Sequence, residues 1–169
     1  MDEKLLIVLD RLRNENDRLQ RAQAVARVGS WEFDLRTGRV AVTEEARRIY
    51  GLGEKDWRIE EVQRIPLPEY RPALDQALAD LIEQGREYEQ EFEIRRPSDG
   101  VVAIIHSQAI FDPRRQIVLG TLQEVSDRRR AEQAMRESER RMTTLLGNLP
   151  GMAYRCQMDR DWTMEFVSQ

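Results

Sequence analysis

The chain has 169 residues, with 27 Lys and Arg against 31 Asp and Glu and a formal net charge of -4. That mildly acidic balance argues against a general polyanion binder, so nucleic acid is not an expected partner. A single cysteine, Cys156, excludes an intramolecular disulfide, and with His106 the sole histidine no Cys/His metal cluster can assemble.

No apolar run approaches the ~20 residues that cross a bilayer. The start, Met1 to Leu9, has acidic flanks and too short an apolar stretch for a signal peptide. A cytoplasmic protein with no membrane contact in this part is expected, and the length suits one domain of ~100 residues plus extensions.

Leu5, Leu9, Leu12, Asn16, Leu19, Gln23 and Ala26 alternate four and three residues apart, which predicts a helix from Leu5 to Ala26 with a heptad seam. In a parallel pair, Asn16 would meet its own copy and fix the register. The seam Leu5, Leu9, Leu12, Asn16, Leu19 therefore predicts a homodimer. The same stripe also fits an amphipathic helix lying on its own domain's sheet.

Val28-Gly29-Ser30 opens a more compact stretch. Trp31, Phe33 and Leu35 alternate with Glu32 and Asp34 and turn at Thr37-Gly38 into Arg39 to Val42, which reads as a hairpin. Thr43 suits an N-cap and Gly51 a stop for a short helix carrying Ala46, Ile49 and Tyr50. Lys55 to Pro68 is irregular, with short helical turns anchored by Trp57, Ile59, Val62 and Ile65. A clearer helix is expected from Glu69 to Gln84, its stripe Leu74, Ala77, Leu78, Leu81 and Ile82, with Gly85 ending it.

Three strands follow. Tyr88, Gln90, Phe92 and Ile94 alternate with Glu89, Glu91, Glu93 and Arg95, so one face is solvated. Pro97-Ser98-Asp99-Gly100 turns the chain into Val101 to Phe111, and Gln116 to Val125 comes last; both carry apolar residues on both faces, which calls for a cover on the outer side. The N-terminal helix or a second subunit would supply it. Together these elements predict an α+β fold, a five-stranded antiparallel sheet with helices on one face and amphipathic, coiled-coil-like helices at either flank.

Val28 to Asp34, Tyr88 to Arg96 with Asp99-Gly100, and Gly120 to Ser126 resemble the strands of a PAS domain with its C-terminal PAC segment. Asp127 to Arg140 is similar to the linker between consecutive PAS units of bacterial sensor histidine kinases and diguanylate cyclases. Asn148 to Cys156 with Asp161 to Ser168 resembles the start of a second PAS domain, within which the chain ends. The implied organisation is a helix at 1–27, a PAS/PAC domain at 28–126, a linker helix at 127–147 and the beginning of a second PAS domain at 148–169. Glu124-Val125-Ser126 stands where the family usually has Asp, an aliphatic residue and Thr, and Leu67-Pro68-Glu69 replaces a His-Pro-x-Asp-like entry to the long helix.

The resemblance implies a sensory module that detects a small ligand or partner and relays the change through Glu124, Val125, Ser126 and Asp127 into the linker helix. The seam of that helix, Ala131, Met135, Ser138, Met142 and Leu145, is poor in large apolar residues, so two registers are open to it. The pocket is expected between sheet and helices at Trp31, Phe33, Tyr50, Trp57, Leu78, Phe92, Ile94, Ile105, Thr121 and Gln123. No cofactor is expected. The Asn-Cys-Arg-Phe-Leu-Gln stretch of flavin photoreceptors is missing, and Glu69 to Gln84 offers no histidine for haem iron.

No nucleophile-base pair, phosphate loop or metal cluster is legible, so no catalytic residue is expected. His106 reads as a hydrogen-bonded or exposed strand histidine, with pH sensing as the alternative. Two other readings stay open: a ligand-free dimerisation or spacer module, and an adaptor whose apolar outer sheet docks another protein.

Overall fold

The structure is a computed structural model that describes residues 3–147, 154–158, 160 and 164–167. Its elements in chain order are α1 (Glu3–Ala26), β1 (Val28–Asp34), β2 (Arg39–Val42), α2 (Glu44–Tyr50), β3 (Trp57–Arg58), α3 (Ile59–Val62), α4 (Arg71–Gln84), β4 (Tyr88–Arg95), β5 (Val102–Asp112), β6 (Ile117–Glu124), α5 (Ser126–Gly147), β7 (Tyr154–Cys156) and β8 (Met164–Val167). The chain divides into two units after Ser126.

In the first unit the strands form one antiparallel sheet in the order β3-β2-β1-β6-β5-β4. This is the expected α+β architecture, with six strands in place of five. The additional strand is β3: Arg58 pairs with Arg39 and Trp57 with Val40, and the Arg58 guanidinium donates to the Thr37 carbonyl at 2.6 Å. Two residues leading straight into a helix are too few to display a period of two, which is why the pattern hides it.

Local chemistry sets the helix ends. Thr43 Oγ1 accepts from the Ala46 amide at 3.4 Å, Glu44 and Glu45 lie in the positive first turn, and Gly51 takes a left-handed conformation (φ 67°) that returns its amide to the last carbonyls of α2. Position 29 must be small because α2 lies almost on β1: a Cβ there would come 2.4 Å from the Ala46 Cα.

The core lies between the inner sheet face and α2 and α4. Ile94, Ala103, Ile105 and Val118 are fully buried at its centre, with Trp31, Phe33, Tyr50 and Phe92 around them. The Trp31 and Phe33 rings stand 4.4 Å apart, tilted by 43°. Pro66 bridges Ile94, and the Leu67 amide donates to the Glu93 carbonyl at 2.9 Å, so the loop before α4 caps part of the β4 edge.

On the outer face, α1 reaches the sheet through Gln23, whose amide donates to Ser30 Oγ at 3.0 Å, and through the Ala26 carbonyl, which accepts from Gln123 at 3.3 Å. It leaves β5 open there: Ile110 is 68% exposed. Leu9, Leu12, Asn16 and Leu19 are likewise exposed along α1.

In the second unit, α5 is a 22-residue helix braced by Arg128–Glu132 and Arg129–Glu132 ion pairs, and β7 pairs antiparallel with β8 through Tyr154 to Val167 and Arg155 to Phe166. The rest of the expected second domain, Asn148 to Ala153, Asp161 to Thr163 and Ser168, lies outside the described residues. Among the described residues no helix is long and apolar enough to cross a membrane.

Candidate functional site: an interior cavity and the strand beside it

A cavity lies between the inner sheet face and the helices. Its volume, counted as space open to the centres of water molecules, is about 60 Å³.

The floor is built by strand alternation. Gly29, Trp31 and Phe33 of β1 pair with Leu122, Gly120 and Val118 of β6, while Ser107, Ala109 and Phe111 of β5 pair with the same three residues from the other side. Gly120 has no side chain, and the Trp31 indole fills the space above it: a Cβ at 120 would lie 2.3 Å from the ring. From α2 come Ala46 and Tyr50, from α4 Leu74, Asp75 and Leu78, and from the edge strand Tyr88 and Phe92.

Of the residues expected to form the pocket, Trp31, Phe33, Tyr50, Leu78 and Phe92 line this cavity. Ile94 and Ile105 pack solid beneath it, fully buried. Trp57 sits on the edge strand, where its indole donates to the Gly53 carbonyl at 3.0 Å and Lys55 lies 4.0 Å above its ring. Thr121 and Gln123 point to the opposite face of β6. The strand reads Ile117-Val118-Leu119-Gly120-Thr121-Leu122, apolar in both phases, and the inward glycine erases the alternation that would have set the face. Tyr88, Ser107 and Leu122 belong to the lining although they were not expected there. For Tyr88 the signal was present, because it shares the phase of Phe92.

The lining is mostly apolar with five aromatic residues: Trp31, Phe33, Tyr50, Tyr88 and Phe92. Its polar groups are few. The Gln63 amide donates to Asp75 Oδ1 at 3.2 Å at the exposed mouth, and Ser107 Oγ donates to the Thr121 carbonyl at 3.0 Å. Among the described residues neither the Tyr50 nor the Tyr88 hydroxyl has a hydrogen-bond partner. Burial, and then the adjoining Tyr88, pushes the Tyr50 phenol up. Burial, and then the Asp75 carboxylate, pushes Tyr88 up to about 12. Both phenols are therefore neutral near pH 7, each able to donate one hydrogen bond and to accept another.

Three residues beyond Leu122 the sheet ends in a knot of short bonds. The Val125 amide donates to the Ile104 carbonyl at 2.8 Å, the Ile104 amide to Ser126 Oγ at 2.9 Å, and Ser126 Oγ to Glu124 at 3.1 Å. Val125 and Ser126 are 4% and 3% exposed, so the first residue of α5 is fixed to β5. Arg96 lies 3.8 Å from Glu124 and 3.4 Å from Asp99, tying the β4–β5 turn to the same point. Asp127, the last residue expected in the relay, is exposed and pairs with Arg130 at 3.4 Å.

His106 is on the outer face, its Nε2 donating to Glu89 at 2.8 Å, and Gln108 donates to the same carboxylate at 3.1 Å. The histidine's bond, then that of Gln108, holds the Glu89 carboxyl below its ordinary value. Among the described residues no group of three or more His, Cys, Asp and Glu is placed to hold a metal ion.

The family model for the PAS fold matches residues 39–121. The structure is similar to a sensory box histidine kinase/response regulator from Burkholderia thailandensis at 24% identity and a TM-score of 0.57, covering 75% of this chain and 98% of that one. It is similar too to the N-terminal domain of a diguanylate cyclase with PAS/PAC sensor from Marinobacter aquaeolei (15% identity, TM-score 0.52, 60% and 98% covered) and to the PAS domain of a protein from Colwellia psychrerythraea (17%, 0.51, 64% and 96%). No curated protein matches the sequence. The first unit of this chain carries the PAS fold, matched by that family's model over residues 39–121.

Proposed function

We propose that this PAS domain is a cytoplasmic sensory relay: a small molecule enters the cavity, and the change it makes passes along β6 through Glu124, Val125 and Ser126 into α5. The observation that carries this reading is the short path between the two. Leu122 lines the cavity, and three residues later the Val125 amide and Ser126 hydroxyl are bound to Ile104. A displacement of β6 must stretch those bonds or move the start of α5. The reading gives the chain no catalytic role and no flavin or haem, and it makes the functional unit a homodimer held by the α1 seam.

One observation favours the second reading, a ligand-free dimerisation or spacer module. About 60 Å³ is well below the ~300–1,000 Å³ of ordinary small-molecule pockets, so a larger ligand would have to spread α4 from the sheet. The deciding experiment is native mass spectrometry of the purified chain, followed by thermal-shift screening of small-molecule extracts and hydrogen exchange across Leu122 to Glu132. A relay shows a bound or stabilising molecule together with altered exchange at Val125 and beyond. A spacer shows neither.

A further inference from the structure

The two phenols of the cavity and the charge at its mouth define a ligand class. Tyr50 and Tyr88 are 7% and 8% exposed and both line the cavity, and among the described residues no hydrogen bond holds either hydroxyl. Buried hydroxyls in folded proteins are nearly always hydrogen-bonded, so a polar group in the cavity is the natural complement. The rest of the wall presents the faces and edges of Trp31, Phe33 and Phe92. No lysine, arginine or histidine lines it; its one formal charge is the carboxylate of Asp75 at the mouth.

Such a wall repels anions twice, through the carboxylate and through the negative faces of the aromatic rings. It attracts a cation by the same two means, and the phenol oxygens accept the hydrogen bonds of an ammonium group. The volume, about 60 Å³, limits the ligand to a few heavy atoms, such as a short branched chain.

Resting on the sensory reading above, we infer that the cavity selects a small organic ammonium ion with an apolar body, held by Tyr50 and Tyr88 and steered by Asp75, and that it excludes carboxylates and phosphates. Tyr50 and Tyr88 are the contact residues. Asp75, exposed and already bonded to Gln63, acts at the mouth.

The test uses the full purified chain and three probes of one shape and different charge: isobutylammonium, isobutanol and isobutyrate, read by calorimetry and thermal shift. Saturable binding of the ammonium, weaker binding of the alcohol and none of the carboxylate is the expected order. Asp75→Asn weakens the ammonium by about two- to fivefold, the size of one partly exposed charge pair, and leaves the alcohol unchanged. Tyr50→Phe combined with Tyr88→Phe weakens both. Because Asp75 is exposed, its variant keeps the unliganded melting temperature, which separates lost recognition from lost folding.

Isobutyrate binding as tightly as the ammonium overturns the inference, and so does the absence of binding by all three. In that last case the extract screen separates the two readings. A stabilising molecule of another class leaves sensing intact and removes only the ammonium assignment, whereas no stabilising molecule at all removes both.

Discussion

Ser126 Oγ accepts the Ile104 amide at 2.9 Å, while the Val125 amide next to it donates to the Ile104 carbonyl at 2.8 Å. The serine side chain thus continues the β5–β6 ladder after the backbone of β6 has turned away, and the first residue of a helix becomes a member of the sheet. Ser126→Ala removes that acceptor from a buried corner, at a cost of about 1–3 kcal/mol. Urea unfolding should show a lower midpoint at unchanged slope, with faster exchange of the Ile104 amide. Ser126→Thr keeps the hydroxyl and should recover most of the loss.

Among the sheet residues Gly29 and Gly120 mark close approaches, and the atoms they face rank them. A Cβ at Gly120 meets the Trp31 ring at 2.3 Å and the Gln108 carbonyl at 2.8 Å; one at Gly29 meets the Ala46 Cα and amide at 2.4 and 2.5 Å. An indole can tilt, whereas α2 has to move as a body. Gly120→Ala should cost about 1–3 kcal/mol, the usual range of overpacking, with a changed tryptophan emission, and Gly29→Ala should cost more. Equal midpoints for the two variants would contradict the ranking.

Those glycines also explain which parts of the fold could be read from residues alone. Trp31, Phe33, Phe92, Ile94 and Ile105 lie on strands whose two phases differ in polarity or whose neighbours fix the face, and each points inward as its phase requires. On β6 a glycine occupies the central inward position and leucines fall in both phases, so Thr121 and Gln123 read as inward residues and are not. The register that settles the question, Gly120 opposite Trp31 on one side and Ala109 on the other, is a long-range pairing that local periodicity does not contain. The Ser126–Ile104 bond is of the same kind. A serine before a charged helix reads as a cap, and its tie to a strand 22 residues earlier becomes visible only when β5 and β6 pair.

The buried phenols predict an alkaline limit. Tyr88 ionises at about 12 in the folded chain against an ordinary value of 10.0, and Tyr50 is raised as well. Groups whose folded values are raised contribute fully below the unfolded value and lose that contribution as pH climbs through the folded one. Stability should hold up to pH ~10 and then fall, with Tyr88 alone accounting for about 2–3 kcal/mol by pH ~12. Tyrosinate absorbance should lag behind that of the free chain and jump at unfolding. In Tyr88→Phe the decline with pH should be shallower, and an unchanged profile would show that Tyr88 is not shielded.

Along α1 the leucines of the heptad stripe are exposed: Leu9 is 44% exposed, Leu12 62% and Leu19 56%. In the proposed homodimer they and the intervening Asn16 form the seam of a two-stranded coil, where each leucine removed from water is worth about 1.5–3 kcal/mol and the paired amides set the register. Sedimentation should give the mass of two chains. Leu12→Glu brings two like charges together in place of two leucines, and Asn16→Lys does the same one turn on, so either should shift the boundary to the mass of one chain at micromolar concentration. The first unit retains its core in both variants because neither residue touches it. A dimer that survives both substitutions would move the interface to the outer sheet face beside Ile110, and Ile110→Glu would then be the substitution that dissociates it.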